Sequence, residues 1–182
     1  MSRELKASDS VGLDSSVTGE LKHYALANIC QVSITHPDPA VTVSVTGTGD
    51  DDLNPALGGF VSVNNAYTES LKTGGLFTVL ADGRVQVNKS GYLVINGYSD
   101  ISHSSNGTTV GAAFTIERGG STVFSPRSVH ARMPNAGNIG NLSGVGSLAV
   151  VNGDIIGLAL ASDVTGSISI RASSLVFQFM GE

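Results

Sequence analysis

Gly146-Ser147-Leu148-Ala149-Val150-Val151-Asn152-Gly153-Asp154-Ile155-Ile156-Gly157-Leu158 reads as strand, turn, strand. Asn152-Gly153-Asp154 concentrates turn-forming residues, and small and β-branched residues flank it on both sides. Further on, Ser173-Ser174-Leu175-Val176-Phe177 opens a closing strand. In Leu175–Met180, Leu175, Phe177 and Phe179 share one face, and Val176, Gln178 and Met180 share the other. In 155–160 neither alternate set is polar. A sandwich strand needs only one apolar face. The second face of both segments must be covered, most simply by another subunit, so an oligomer is expected.

Upstream, Leu76–Leu80 and Arg84–Asn88 flank Ala81-Asp82-Gly83, a hairpin signal. Asn88-Lys89-Ser90-Gly91 turns the chain into a long strand, Tyr92–Ile101. Thr109–Glu117 and Thr122–Phe124 flank Arg118-Gly119-Gly120 as another hairpin. Val41–Thr46 alternates strictly and predicts a half-buried strand, and Phe60–Val63 predicts a short one. Pro126–Gly146 is the longest stretch of this half without strand periodicity and is expected to be a loop. Strands are expected over 148–151, 154–161, 167–171 and 175–180. His23–Val32 is compatible with a short strand or a helical turn.

Only 14% of the residues are charged, 23 are glycine and none is tryptophan. Together with the frequent turns, this predicts an all-β chain. The net charge of −5, with ten scattered Lys and Arg, offers no basic footprint, so nucleic acid is not an expected partner. No apolar stretch approaches a membrane span, so no membrane is expected either. Met1-Ser2-Arg3-Glu4-Leu5-Lys6 lacks an apolar signal core, which places the expected site of assembly in a cytoplasm.

Residues 1–40 are expected to form an arm and linker, and 41–182 the folded domain. The arm has sparse contact residues, Arg3, Leu5, Lys6, Val11, Leu13, Val17 and Leu21, before the breaker His36-Pro37-Asp38-Pro39. The lone Cys30 excludes a disulfide framework, and its apolar neighbours predict a buried, inert thiol.

Candidate chemistry is sparse. Asp50, Asp51 and Asp52 supply hard oxygens for a cation but lack EF-hand spacing, and a solvated acidic loop is the simpler reading. His23, His36, His103 and His130 show no metal-ligand spacing. Gly-x-Ser-x-Gly and a phosphate loop are absent. Neither catalytic residues nor a cofactor are expected. Arg127, His130, Arg132 and Met133 lie together in the expected loop as a candidate partner contact, with an ordinary surface loop the equal alternative.

The Gly91-Tyr92 strand, the Leu148…Gly153-Asp154-Ile155 step and the Ser173–Phe177 strand resemble the C1q/TNF-like trimeric jelly roll over roughly residues 60–182. The resemblance implies a jelly-roll β-sandwich that forms a homotrimer. Tyr92, Val94, Ile156, Leu158, Leu175, Phe177 and Phe179 would lie on its core and trimer strands. The aromatic content of 5% is low for that family, and no collagen-like stalk is present. A stalkless knob with an arm resembles capsid decoration (cement) and head-fibre proteins of tailed phages. On that reading the partner is the major capsid protein of a virion, and the protein sits on the outer capsid surface. The alternative is a receptor-binding or fibre-tip module recognising a host glycan or protein.

Overall fold

A computed structural model describes residues 29–35, 41–49, 53–64, 66–125 and 128–181. Among the described residues, thirteen strands form two antiparallel sheets facing each other. They are β1 (Ile29–Thr35), β2 (Val41–Val45), β3 (Val61–Ser62), β4 (Thr68–Lys72), β5 (Phe77–Val79), β6 (Val85–Val87), β7 (Gly91–His103), β8 (Thr108–Arg118), β9 (Ser121–Phe124), β10 (Val129–Met133), β11 (Ile139–Val150), β12 (Ile155–Ser162) and β13 (Gly166–Gly181). The first sheet has the order β11-β7-β13-β1-β4, with β2 also on β13. The second has the order β10-β8-β12-β6-β5, with β3 on β12 and β9 on β8. This is a jelly-roll sandwich.

The long β13 absorbs both late strands expected from the sequence, 167–171 and 175–180. Two partners share its flank: β2 pairs with Gly166–Ile170 and β1 with Ala172–Gln178. A register shift against β7 between Ile170 and Ala172 marks the junction. The bulge switches the strand's alternation, so Ile168 and Ile170 and then Ser173, Leu175, Phe177 and Phe179 all face inward and are buried. Sequence periodicity breaks at such a switch, which is why one strand reads as two.

The folded domain begins before residue 41. Cys30, Val32 and Ile34 of β1 are buried in the core, so residues 29–35 belong to the sandwich and not to the arm. The arm residues Arg3, Leu5, Lys6, Val11, Leu13, Val17 and Leu21 lie outside the described residues, as do Asp50, Asp51, Asp52 and Arg127.

The expected loop at 126–146 is also corrected, because it holds β10 and most of β11. The inward positions of β11 are Gly140, Leu142, Gly144, Gly146, Leu148 and Val150, while Ile139 and Val145 point outward. Glycine at three of six core-facing sites erases the apolar alternation that marks a strand. Each of these glycines admits a side chain from the opposite sheet. A Cβ at Gly140 would sit 2.3 Å from Met133 Cε, and one at Gly144 would sit 2.6 Å from Val129 Cγ1.

The two doubly apolar strands have different fates. On β12, Ile156, Leu158 and Leu160 enter the core, and Gly157, Ala159 and Ala161 on the outer face are buried too. That face is covered by the chain itself. The stem of Arg84 lies over Gly157, and Leu53 lies over Gly111, the pairing partner of Ala161. Ser128 Oγ donates to the Leu53 carbonyl at 2.6 Å and pins this cover. No second subunit is needed there, contrary to the sequence expectation. Small residues make the floor flat enough for the segment around Leu53 to lie on it. On β13, by contrast, Val176, Gln178 and Met180 remain at the surface.

Candidate functional site

The described residues contain no group of three or more His, Cys, Asp or Glu that could hold a metal ion, and no helix long and apolar enough to cross a membrane. The feature that stands out is a surface, the outer face of the β11-β7-β13 sheet.

Strand register assembles it. Tyr98 of β7 lies between Ser143 and Ser174, Asn96 between Val145 and Val176, and Val94 between Ser147 and Gln178. Tyr92 pairs with Ala149 at the end of the ladder. Large apolar side chains stand in solvent here: Val145 is 74% exposed, Tyr92 and Met180 60%, and Ile139 57%. Across these rows no residue is charged. Asp100 at the margin accepts hydrogen bonds from the Tyr98 hydroxyl and, at 3.3 Å, from Asn141 Nδ2. The bond to Asp100 holds the Tyr98 phenol above its usual pKa. On the far side Gln31 Nε2 donates to Ser174 Oγ at 3.0 Å, while the Glu69–Lys72 ion pair of β4 lies opposite Val32 and Cys30, on the core-facing side of the sheet edge.

Arg171, at the β13 bulge, is an exposed charge of the first sheet beyond these rows, and further charges sit on the second sheet and its turns. Arg84 bridges Asp82 and Glu117. Asp154, almost wholly buried, accepts from Arg118 Nε at 2.8 Å and Nη2 at 2.6 Å and from the Val151 amide at 2.8 Å. Desolvation pushes its carboxyl pKa up, but these hydrogen bonds outweigh it and leave the pKa below the ordinary value. With Gly153 at φ 94°, this closes the turn expected at Asn152-Gly153-Asp154. An uncharged, partly apolar patch of this kind has the composition expected of an interface core.

Beneath the face lies a buried polar knot. Ser173 Oγ contacts Tyr67 Oη at 2.8 Å and Ser99 Oγ at 2.7 Å, and donates to the Tyr98 carbonyl at 2.9 Å. Burial raises the Tyr67 pKa to about 12. The knot sits just past the bulge in β13 and anchors the backbone that carries Tyr98.

The predicted strand residues divide. Tyr92 and Val94 lie on the outer face, Tyr92 exposed and Val94 half-buried. Ile156, Leu158, Leu175, Phe177 and Phe179 are buried in the sandwich core. The predicted partner loop is not brought together as such. Met133 is 1% exposed and packs inside, so it contacts no partner. His130 and Arg132 are exposed positions of strand β10, and His130 Nε2 bonds Ser128 Oγ at 2.6 Å. Cys30 is buried, and desolvation raises its pKa to about 11, as expected of an inert thiol. Tyr98, Ile139 and Val145 were missed. The Tyr92/Val94/Asn96/Tyr98 alternation carried a signal for the first, whereas the glycines of β11 hid the other two.

No family model and no curated protein sequence matches the chain. Solved structures do match. The Eiger TNF from S. frugiperda superposes with a TM-score of 0.56 at 10% identity, covering 85% of this chain and 95% of that one. Murine APRIL gives 0.51 at 15% identity, covering 84% and 99%. The globular domain of a zebrafish complement 1qA protein gives 0.53 at 9% identity, covering 84% and 97%. At these identities the likeness establishes the fold: the chain is a TNF/C1q-like jelly roll.

Proposed function

We propose that this protein is a non-catalytic structural module that assembles as a homotrimer through the outer face of the β11-β7-β13 sheet and serves as a capsid decoration protein. The observation that carries the assembly is the uncharged face with Tyr92, Tyr98, Val145 and Met180 exposed on it. Covering such a face removes apolar area from water at no cost in buried charge. The outer face of β12 is already covered by the chain itself, which leaves this face as the one a second copy would bury.

The capsid as partner rests on the sequence: a charge-poor surface rich in small polar residues, preceded by a lead of residues 1–28 with its scattered anchors. Three leads on one knob would make attachment multivalent, so weak single contacts give long residence. The proposed place is the outer surface of the virion.

Light scattering tests the assembly: three times the 18.6 kDa chain mass is expected at micromolar concentration. Val145→Asp, at a solvent-exposed position, is expected to shift the mass towards one chain while the circular dichroism stays that of a β-sandwich. A monomeric wild-type protein would overturn the assembly. Sedimentation with empty capsids tests the partner. Co-sedimentation lost on deleting residues 1–22 supports decoration, whereas adsorption of the purified protein to host cells without capsid binding transfers the function to receptor recognition.

A further inference from the structure

A cleft of about 270 Å³ lies between the two sheets under β7 and β11. Its origin is in the choice of inward residues. Gly97, Gly144 and Gly146 face inward from the first sheet, and Ala112 faces them from the second. Packed sheets stand roughly 10 Å apart, and glycine opposite alanine cannot span that distance. Phe114 reaches across beside them and forms one wall: a Cβ at Gly146 would lie 2.9 Å from its ring. Leu142, Leu148, Leu158 and Leu175 complete the apolar lining. Ser99, Ser125 and Ser128 bring hydroxyl-bearing residues to the lining, and no lining residue is Asp, Glu, Lys, Arg or His. The cleft opens along β11, an edge strand, where Val145 and Ser147 are exposed.

We propose that this cleft is a binding site for a small, neutral, largely apolar molecule of about ten heavy atoms with one hydroxyl or carbonyl end. Size follows from comparison: a cavity of about 150 Å³ lined by Leu, Ile and Phe takes one benzene, so 270 Å³ takes roughly twice that ligand. Neutrality follows from the lining, because a carboxylate or ammonium buried here would find no counter-charge. The apolar body would lie against Phe114 and the leucines, and the polar end among the serine hydroxyls. Every lining residue comes from one chain, and the mouth at Val145 and Ser147 borders the face assigned to assembly.

The test uses the full chain and medium-chain probes, with binding read by saturation-transfer NMR and calorimetry. Octan-1-ol is expected to bind with a dissociation constant below about 1 mM, within the ligand-efficiency bound for a molecule of this size. Octanoate, equal in length but charged, is expected to bind at least about tenfold more weakly. Ala112→Leu places its added atoms in the cleft and should weaken octan-1-ol binding by at least about tenfold, with folding checked by circular dichroism. Leu142→Ala enlarges the cleft and should shift preference towards decan-1-ol, so a folded variant is at hand even if Ala112→Leu fails to fold. Absence of octan-1-ol binding at millimolar concentration overturns the proposal. So do octanoate binding as tight as the alcohol's, and a chain-length preference that Leu142→Ala leaves unchanged.

Discussion

Gly140→Ala and Gly144→Ala make the same chemical change on the same strand, yet they should shift stability in opposite directions. Relieving a strand of glycine's backbone entropy is worth roughly 0.5–1 kcal/mol, and burying one methyl about 0.8 kcal/mol. Unopposed, either substitution would stabilise by about 1–2 kcal/mol. The neighbours decide the outcome. At Gly140 the new Cβ meets Met133 Cε at 2.3 Å and Sδ at 2.6 Å, the far end of an unbranched side chain with three rotatable bonds. Met133 can withdraw, so Gly140→Ala should be neutral or stabilising by up to about 1 kcal/mol. At Gly144 the new Cβ meets Val129 Cγ1 at 2.6 Å, on a β-branched side chain with a stiff χ1. Overpacking costs roughly 1–3 kcal/mol, and a stiff neighbour at 2.6 Å puts Gly144→Ala near the top of that range, for a net loss of about 1 kcal/mol. For a chain of this length that is a fall in Tm of about 2–4 °C. Urea midpoints at one fixed protein concentration measure both variants, the fixed concentration keeping any assembly constant. Adding Val129→Ala removes the clashing methyl and should rescue Gly144→Ala, with a coupling of about 1 kcal/mol in the double-mutant cycle. If Gly140→Ala loses more than Gly144→Ala, or if the cycle shows no coupling, the packing assigned to β11 is wrong.

Three further outcomes are expected. Ser173→Ala deprives the buried Tyr67 hydroxyl and Ser99 hydroxyl of a shared partner and should cost about 1–3 kcal/mol by urea unfolding; an unchanged midpoint would remove the knot from the account. His103 is buried, its Nδ1 accepts from the Ser105 amide at 3.0 Å, its Nε2 has no partner, and burial lowers its pKa, with Asp163 the charge that opposes this. A depressed folded pKa means the unfolded chain binds the proton first. Stability should therefore be full above the unfolded value of about 6.5 and fall below it, by at most about 1.4 kcal/mol per pH unit. His103→Gln should flatten that slope, and identical pH profiles for the two proteins would refute it. Cys30 should resist a thiol reagent in the native state and react fully in denaturant; stoichiometric native labelling would contradict its burial.

Much of the sandwich was legible because its strands obey local rules. Val43 and Val45 alternate with exposed Thr42 and Ser44, as the strict pattern at 41–46 requires. The Asp82-Gly83 turn joins β5 and β6, with the Gly83 amide donating to the Leu80 carbonyl at 2.9 Å. The Asn152-Gly153-Asp154 turn closes where its residue types said it would. Leu175, Phe177 and Phe179 are core, as their shared face implied. In each case the information lies within a few residues of chain, since strand periodicity and turn chemistry are local properties.

What the sequence by itself determined, then, was an all-β jelly roll, its principal hairpins, a buried thiol and two strands, β12 and β13, apolar on both faces. Tertiary structure decided the rest. That Met133 is core and not contact, that β11 is a strand at all, and that a cleft opens beside Phe114 all depend on which side chain of one sheet stands opposite glycine on the other. Pairing across the sandwich joins residues such as Val129 and Gly144, or Tyr67 and Ser173, far apart along the chain. Likewise, β12 and β13 are equally apolar in sequence, but among the described residues β12 receives a cover, through Leu53 and Arg84, and β13 does not. Which face is left for a partner is set by where distant segments come to rest. No local pattern encodes that, because the free energy of covering a face belongs to the pair of surfaces and not to either strand alone.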